Sequence, residues 1–465
     1  MKLFDWRWLV VSSIVLGALA ANAAARPEYG GVLRVAMRAA PTSLDPADRA
    51  QADSFSRRSL TMLIFDTLLT TDASGRPQPW LATSWQASSD SRRWQLKIRR
   101  DVRFHDGTPL TAEIAAASLR TANPSWNLSA DADTVIIVRD NSDPDLPAEL
   151  AMARNAIGKR SSENTPSGTG PFHVVDWAPG KKLTVAAEEN CWRGRPFLDA
   201  IEIEMGQSFR DQMTALELGK ADLVEVAAEQ MRQFSQNQIS ERSAKEHGFA
   251  SSLPMELVTL LFSRDAAFPE EKLLREALAL SIERGSIRNV LLQGAGEPTA
   301  SILPNWMSGY GFVFATETDL IRARHAREQV HTAPAWTVGY DGSDPMARLL
   351  AERIALNAKD AGLSLQPTPA AGTDLRLVRI PLASHDPWIA LAEVAALTGA
   401  PAGKEGGSVE DLYAWEAGML GTRRVIPMFH LPVSYAASAN LKGWTVRPDG
   451  SWTLVDAWLA ATDKR

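Results

Sequence analysis

Residues 335–369, AWTVGYDGSDPMARLLAERIALNAKDAGLSLQPTP, constrain the fold more than any other stretch. They read as strand, loop, long helix and strand. Gly362 stands where the helix must end, because glycine adopts a left-handed backbone without a Cβ penalty. A unit of this kind makes a right-handed crossover onto a parallel sheet, which predicts an α/β chain. The length of 465 residues fits two or three domains. With 45% hydrophobic and 22% charged residues, the composition is that of a globular chain.

The remaining pattern is consistent with this. GGVLRVAM opens with a buried strand at Val32, Leu33, Val35 and Met37. A helix is expected over 57–72, with Leu60, Leu63, Ile64 and Leu68 on one face. Residues 75–107 alternate as antiparallel strands, Trp94, Leu96 and Ile98 facing one side and Gln95, Lys97 and Arg99 the other. Thr111 is a good N-cap for the Ala-rich helix that follows. Residues 168–190 read as two strands joined at Pro179-Gly180, and 198–206 as another. A helix ending at Gly219 precedes a strand at 222–226. MELVTLLFS, 255–263, is a strand; 270–294 is helix, break at Gly285, helix. The last 40 residues read as short strands ending in a helix.

The N-terminus carries Lys2 and Arg7, an apolar run over 8–20 and the small residues Ala21-Asn22-Ala23. That order is a secretory signal with cleavage after Ala23, and it predicts export. The run is short for a membrane span. The lone Cys191 cannot form an internal disulfide. It reads as a reactive thiol or, the simpler alternative, a buried apolar filler. The net charge of -6 and the lack of a basic run argue against nucleic-acid binding.

Motifs for catalysis and metal binding are missing. None of the seven histidines has H-E-x-x-H spacing, and no cysteine cluster exists for zinc. There is no G-x-S-x-G elbow. PGKKL lacks the upstream Gly and the trailing Ser or Thr of a phosphate loop. In FHDG, 104–107, His105 and Asp106 are neighbours that would point to opposite faces of a strand. No cofactor and no metal are expected, and the chain does not read as an enzyme.

Several stretches together resemble the family 5 extracellular solute-binding proteins of ABC transporters, the oligopeptide, dipeptide and nickel class. They are GGVLRVAM…PTSLDPAD, PWLATSW, WQLKIRRDVRFHDGTPLTAE, GTGPFHVVDWAPGKKLTVAAEENCWRGRPFLDAIEIE, ALELGKADL, LLREALALSIERGSI and VIPMFHLPVSYAASANLKGW. The resemblance implies a two-lobed periplasmic binding protein, type II, with an extra subdomain in the first lobe, here reduced. It implies a signal peptide at 1–23, lobe I at 24–255 with the subdomain at about 61–167, lobe II at 256–424, and a return to lobe I at 425–465. It further implies a monomer in the periplasm that encloses a small-molecule solute by hinge closure and hands it to an ABC permease. A receptor or scaffold of the same fold without transport, and a secreted hydrolase, are the alternatives.

By the same resemblance, RLVRIPLASHDPWIAL is the block in which peptide binders hold the peptide amine with an acid four residues before the Pro. That position falls on Ala383 here, and the block's Trp on Ile380, which argues against free-amine peptides. His385, Asp386 and Trp388 are candidate ligand contacts in this loop. Asp386 before Pro387 also suits a helix N-cap, and Trp388 also suits packing. Trp306 and Tyr310 lie in a loop expected to enter the cleft of the second lobe. Ser43 and Asp45 follow the first strand, where open α/β sheets place ligands. Tyr435 on the returning segment completes the set.

Overall fold

The computed structural model of the chain describes residues 26–160, 166–232, 247–382, 384–403 and 406–461. The signal segment over 1–23 and the position of Ala383 lie outside the described residues. The main sheet is built from β1 (Val32–Ala36), β2 (Phe172–Ala178), β3 (Lys182–Ala187), β4 (Ala200–Glu204), β5 (Leu223–Val226), β6 (His247–Phe262), β7 (Ala335–Gly339), β8 (Ser364–Thr368), β9 (Leu375–Pro381) and β10 (Val425–Ser438). Their order is β2-β3-β4-β1-β5-β10-β6-β9-β7-β8. The helices that matter for the site are α1 (Phe55–Ile64), α2 (Pro345–Asp360), α3 (Pro387–Thr398) and α4 (Val409–Gly421).

The strand–helix–strand unit forms as the sequence predicts. β7 and β8 pair in parallel, from Ala335 opposite Ser364 to Gly339 opposite Thr368. Asp344 caps α2, its Oδ1 accepting from the amides of Met346 (2.9 Å) and Ala347 (3.3 Å). Gly362 turns the chain at φ +77°.

Two long antiparallel strands, β6 and β10, join the halves of the sheet. One end of β10 pairs with β5, and the opposite end of β6 pairs with β9. Between them Pro254 stands opposite Pro432, and the register shifts on both sides of Pro254. Proline has no N–H to give the ladder. Serine hydroxyls take over at this point: Ser252 Oγ accepts from the Val433 amide (3.0 Å), and Ser251 Oγ donates to the Val433 carbonyl (3.3 Å). Each half has its own core. Leu33, Leu60, Ile64, Leu183 and Ile203 belong to one; Leu260, Leu278, Trp336, Leu350 and Met428 belong to the other.

A further module lies between Leu68 and Ile157. Strands Ala82–Ala87, Arg93–Ile98, Thr134–Val138 and Asn127–Asp131 form a sheet in that order. Trp94, Leu96 and Ile98 are buried while Gln95 and Lys97 are exposed, so the expected alternation holds. Helix Ala112–Ala122 covers this sheet, and Thr111 caps it through the Ile114 amide.

Three local expectations need correction. α1 stops at Ile64 instead of running to residue 72, because Asp66 bridges to Ile157 and the Ile64 carbonyl takes the Gly170 amide (3.0 Å). The helix break falls at Ile282, which is buried with an extended backbone, and Gly285 lies inside the next helix, Arg284–Val290. The C-terminal stretch is not helical through residue 461. Trp452–Thr453 and Trp458–Leu459 pair as short strands with Thr445–Val446 and Leu441–Lys442.

Candidate functional site

Three cavities run in a row between the two halves. The widest, about 740 Å³, lies beside the crossing of β6 and β10. The second, about 410 Å³, shares Gln51, Ala52 and Arg57 with the first. The third, about 240 Å³, shares Arg154 and Glu393 with the second.

The widest cavity collects the loops at the carboxyl ends of β1, β5 and β7, the place where parallel sheets commonly receive ligands. Arg38 follows β1, Glu229 follows β5, and Asp341 and Asp344 follow β7. The Arg38 guanidinium crosses between the halves to Asp341 (3.2 Å) and approaches Asp344 (3.9 Å). Its backbone amide donates to Glu225 Oε2 (2.6 Å). Arg379 on β9 meets Glu256 (3.2 Å) and Asp344 (3.3 Å). Burial opposes the charge of Arg379, but Glu256 and Asp344 hold its pKa above the ordinary value. Burial pushes the Glu229 carboxyl up. At the boundary with the second cavity, Arg57 Nη2 donates to the carbonyls of Asp45 (3.1 Å) and Asp48 (3.0 Å). Burial lowers its pKa despite the acids nearby.

Other contacts hold the halves together at the second and third cavities. Arg58, buried in α1, pairs with Asp53 and donates to the Leu382 carbonyl (2.9 Å). Arg154 joins Glu149 (3.0 Å) to Glu393 on α3. These arginines keep several donors in fixed directions, which suits bridging between elements.

The residues singled out from sequence do not form one constellation. His385 lines the second cavity, its Nε2 bonded to the Pro448 carbonyl and its ring 5.0 Å from Trp306. Trp306 Nε1 donates to the Pro254 carbonyl (3.2 Å). Asp386 caps α3 through the amides of Trp388 (2.9 Å) and Ile389 (3.2 Å). Trp388 lines the third cavity, stacked on Trp415 at 6.0 Å. Ser43 Oγ and Asp45 Oδ1 accept from the amides of Asp45 (3.2 Å) and Ala47 (2.9 Å), a local turn.

The two tyrosines face none of the three cavities. Tyr310 is buried with its hydroxyl on Glu416 (2.7 Å), and burial together with that carboxylate raises its pKa. Tyr435 is fully buried and donates to the Gly450 carbonyl (2.9 Å). Cys191 is buried, and burial raises its thiol pKa, the behaviour of a packing residue.

The sequence reading missed Arg38, Arg57, Glu229, Asp341, Asp344 and Arg379. A signal for two of them was present. The rule that pointed to Ser43 and Asp45, the loop after a parallel strand, applies equally to DGSDP after β7. Among the described residues, no group of three His, Cys, Asp or Glu side chains has the geometry to hold a metal ion. No described helix is long and apolar enough to cross a membrane.

A model of bacterial extracellular solute-binding proteins, family 5 Middle, matches residues 76–380. The nickel-binding protein NikA of Staphylococcus aureus (strain NCTC 8325 / PS 47) is 24% identical over 320 residues, covering 64% of this chain and 63% of that protein. The chain therefore spans a little under two thirds of that relative. Among solved structures, the PBP AgaA from A. tumefacien R10 in complex with agropinic acid superposes with a TM-score of 0.77 at 17% identity, covering 93% of this chain and 99% of that one. DppA from Helicobacter pylori in complex with peptide STSA gives a TM-score of 0.77 at 16% identity, covering 94% and 99%. The fold is thus that of the two-lobed periplasmic binding proteins.

Proposed function

The chain belongs to the bacterial extracellular solute-binding proteins of family 5, and from that premise we propose that it captures a small solute between its halves and delivers it to an ABC permease. The observation that carries this reading is the cavity of about 740 Å³ at the β6–β10 crossing. Both halves line it with charged groups, and Arg38 spans it to Asp341. A hinge stabilises its closed state only through contacts that both sides make to the ligand. The opposed prolines 254 and 432 supply a weak point in the ladder where the halves can rotate.

In this reading residues 24–255 and 425–465 form the first lobe, with a subdomain over about 61–167, and 256–424 form the second. The protein works in the periplasm as a monomer after loss of residues 1–23, and it binds its solute without converting it. His385 and Trp388 are carried forward as contacts at the second and third cavities, and Arg38, Arg57, Glu229 and Asp341 join them at the first. The names of the similar proteins span nickel, a peptide and agropinic acid, so they support a small solute without choosing one.

The test is thermal unfolding against a panel of di- and oligopeptides, opines, sugars and metal chelates, with small-angle scattering on any hit. A true ligand at 100 times its Kd adds about 2.7 kcal/mol of stability and narrows the scattering envelope. Turnover of the solute, or a panel with no stabilising member, overturns the reading.

A further inference from the structure

Helix α1 enters two cores. Its later residues Leu60, Leu63 and Ile64 pack with Leu33, Leu183 and Ile203 in the first half. Its first residue, Phe55, belongs elsewhere. The other buried members of the core around Phe55 come from residues 255–425 and include Met255, Leu257, Ile380 and Leu382. Phe55 is 6% exposed in this seat, and Arg58, one turn on, is 5% exposed. The Arg58 guanidinium lies over the Phe55 ring (5.1 Å), and its Nη1 donates to the carbonyls of Leu382 (2.9 Å) and Asp449 (3.1 Å). The same helix is fastened to the first half. The Ser56 hydroxyl donates to Glu225, and Ser59 Oγ accepts from the Trp452 amide (2.9 Å). The seat adjoins the proline crossing: Met255 follows Pro254, and Trp306, packed on the same core, takes the Pro254 carbonyl (3.2 Å).

The contacts between the halves therefore differ in what it costs to part them. In the ion pairs Arg38–Asp341 and Arg154–Glu393 the carboxylates are 54% and 38% exposed, so water replaces the lost partner at little cost. Withdrawing Phe55 exposes an aromatic ring. Withdrawing Arg58 strips a buried cation and two carbonyls of their bonds. We propose that Phe55 and Arg58 are positioning residues: the halves turn about the first turn of α1, which stays seated in the second half while Arg38–Asp341 and Arg154–Glu393 part and re-form. This rests on the reading that the halves close on a solute, and adds where they turn. The opposed prolines loosen the strands that cross; the helix fixes the axis, so closure returns each wall of the cavities to one register.

The experiment uses the full chain, with Cys191→Ala and nitroxide labels at Lys220→Cys and Leu356→Cys, one exposed site on each half. Electron-spin distance distributions are recorded without solute at about 10 mM and about 1 M NaCl, where exposed ion pairs are strong and screened. The peak is expected to move to longer distance in high salt, and equally in Asp341→Asn/Glu393→Gln, with its width unchanged. Phe55→Ala is expected to broaden the distribution about twofold at both salts, because the turn loses its fixed seat. Phe55→Leu refills the seat and is expected to restore the parent width. Arg58→Met is the second variant, expected to broaden likewise, and it carries the test if Phe55→Ala yields no folded protein. Leu350→Ala, a core truncation far from the seat, controls for lost stability alone and is expected to keep the parent width. Parent width in Phe55→Ala or in Arg58→Met, equal broadening in Leu350→Ala, or a peak that salt and the double variant leave in place overturns the assignment. If the variants broaden as expected while the solute panel is silent, the pivot stands and the solute-binding reading falls. If a solute binds and narrows the scattering envelope while Phe55→Ala keeps the parent width, the pivot falls alone.

Discussion

His430 makes this chain acid-sensitive, and its surroundings set the size of the effect. The side chain lies on β10, is 1% exposed, and its Nε2 donates to the Ile302 carbonyl at 2.9 Å. Burial pushes the imidazole down to about 4, against about 6.5 in an unfolded chain. Below pH 6.5 the unfolded chain therefore takes up a proton that the folded chain refuses until pH reaches about 4. The contribution of His430 is intact above pH 6.5 and is lost as pH falls from there to 4. Each pH unit of difference is worth about 1.4 kcal/mol, so the loss approaches about 3 kcal/mol, with about 1.4 kcal/mol gone at pH 5.5 and about 2.5 kcal/mol at pH 4.5. That is a large part of a typical folding stability of about 5–15 kcal/mol. The assay is urea unfolding at pH 7.0, 5.5 and 4.5 on the parent and on His430→Gln, which keeps an N–H donor and does not titrate. Carboxylates elsewhere titrate in both chains, so the difference between the two pH slopes isolates His430. Parallel slopes between pH 7.0 and 4.5 refute the reasoning.

Three further outcomes follow from geometry. Asp344→Ala removes the cap of α2 and one partner of Arg379, whereas Asp344→Asn removes only the charge. The alanine variant is expected to be less stable than the asparagine variant by about 1 kcal/mol, the usual worth of an N-cap, in chemical denaturation. Gly168→Ala places a Cβ against the backbone carbonyl oxygen of Ile64, which cannot yield as a side-chain tip would. It is expected to cost about 3 kcal/mol or more in unfolding free energy, or to abolish soluble expression. Gly285→Ala meets nothing within 4 Å on a helix with ordinary φ, so it is expected to stabilise by about 0.5–1 kcal/mol.

The residue pattern by itself determined the elements whose signals are local. Asp344, Pro345 and Gly362 bracket α2, Thr111 starts its helix, and Pro179-Gly180 turns β2 into β3, because caps and turns are settled by groups a few residues apart. Alternation from Trp94 to Ile98 was equally legible, since a half-buried strand shows its own period. The long family-like blocks identified the two-lobed architecture. Only the tertiary structure decided the rest. HGFASSLP carries no strand signal, yet residues 247–254 form half of β6 because Ser438 through Pro432 pair with them. Leu68 fits the face of α1 by spacing, but the helix ends at Ile64 where Asp66 and Gly170 claim the backbone. Tyr435 and Tyr310 have the chemistry of ligand contacts, and burial commits their hydroxyls to Gly450 and Glu416. The cavity itself draws Arg38, Arg57, Glu229, Asp344 and Arg379 from segments more than three hundred residues apart at the extremes. No local period records which side chains meet across a sheet. That is a property of the packed halves, and it appears only when they close on each other.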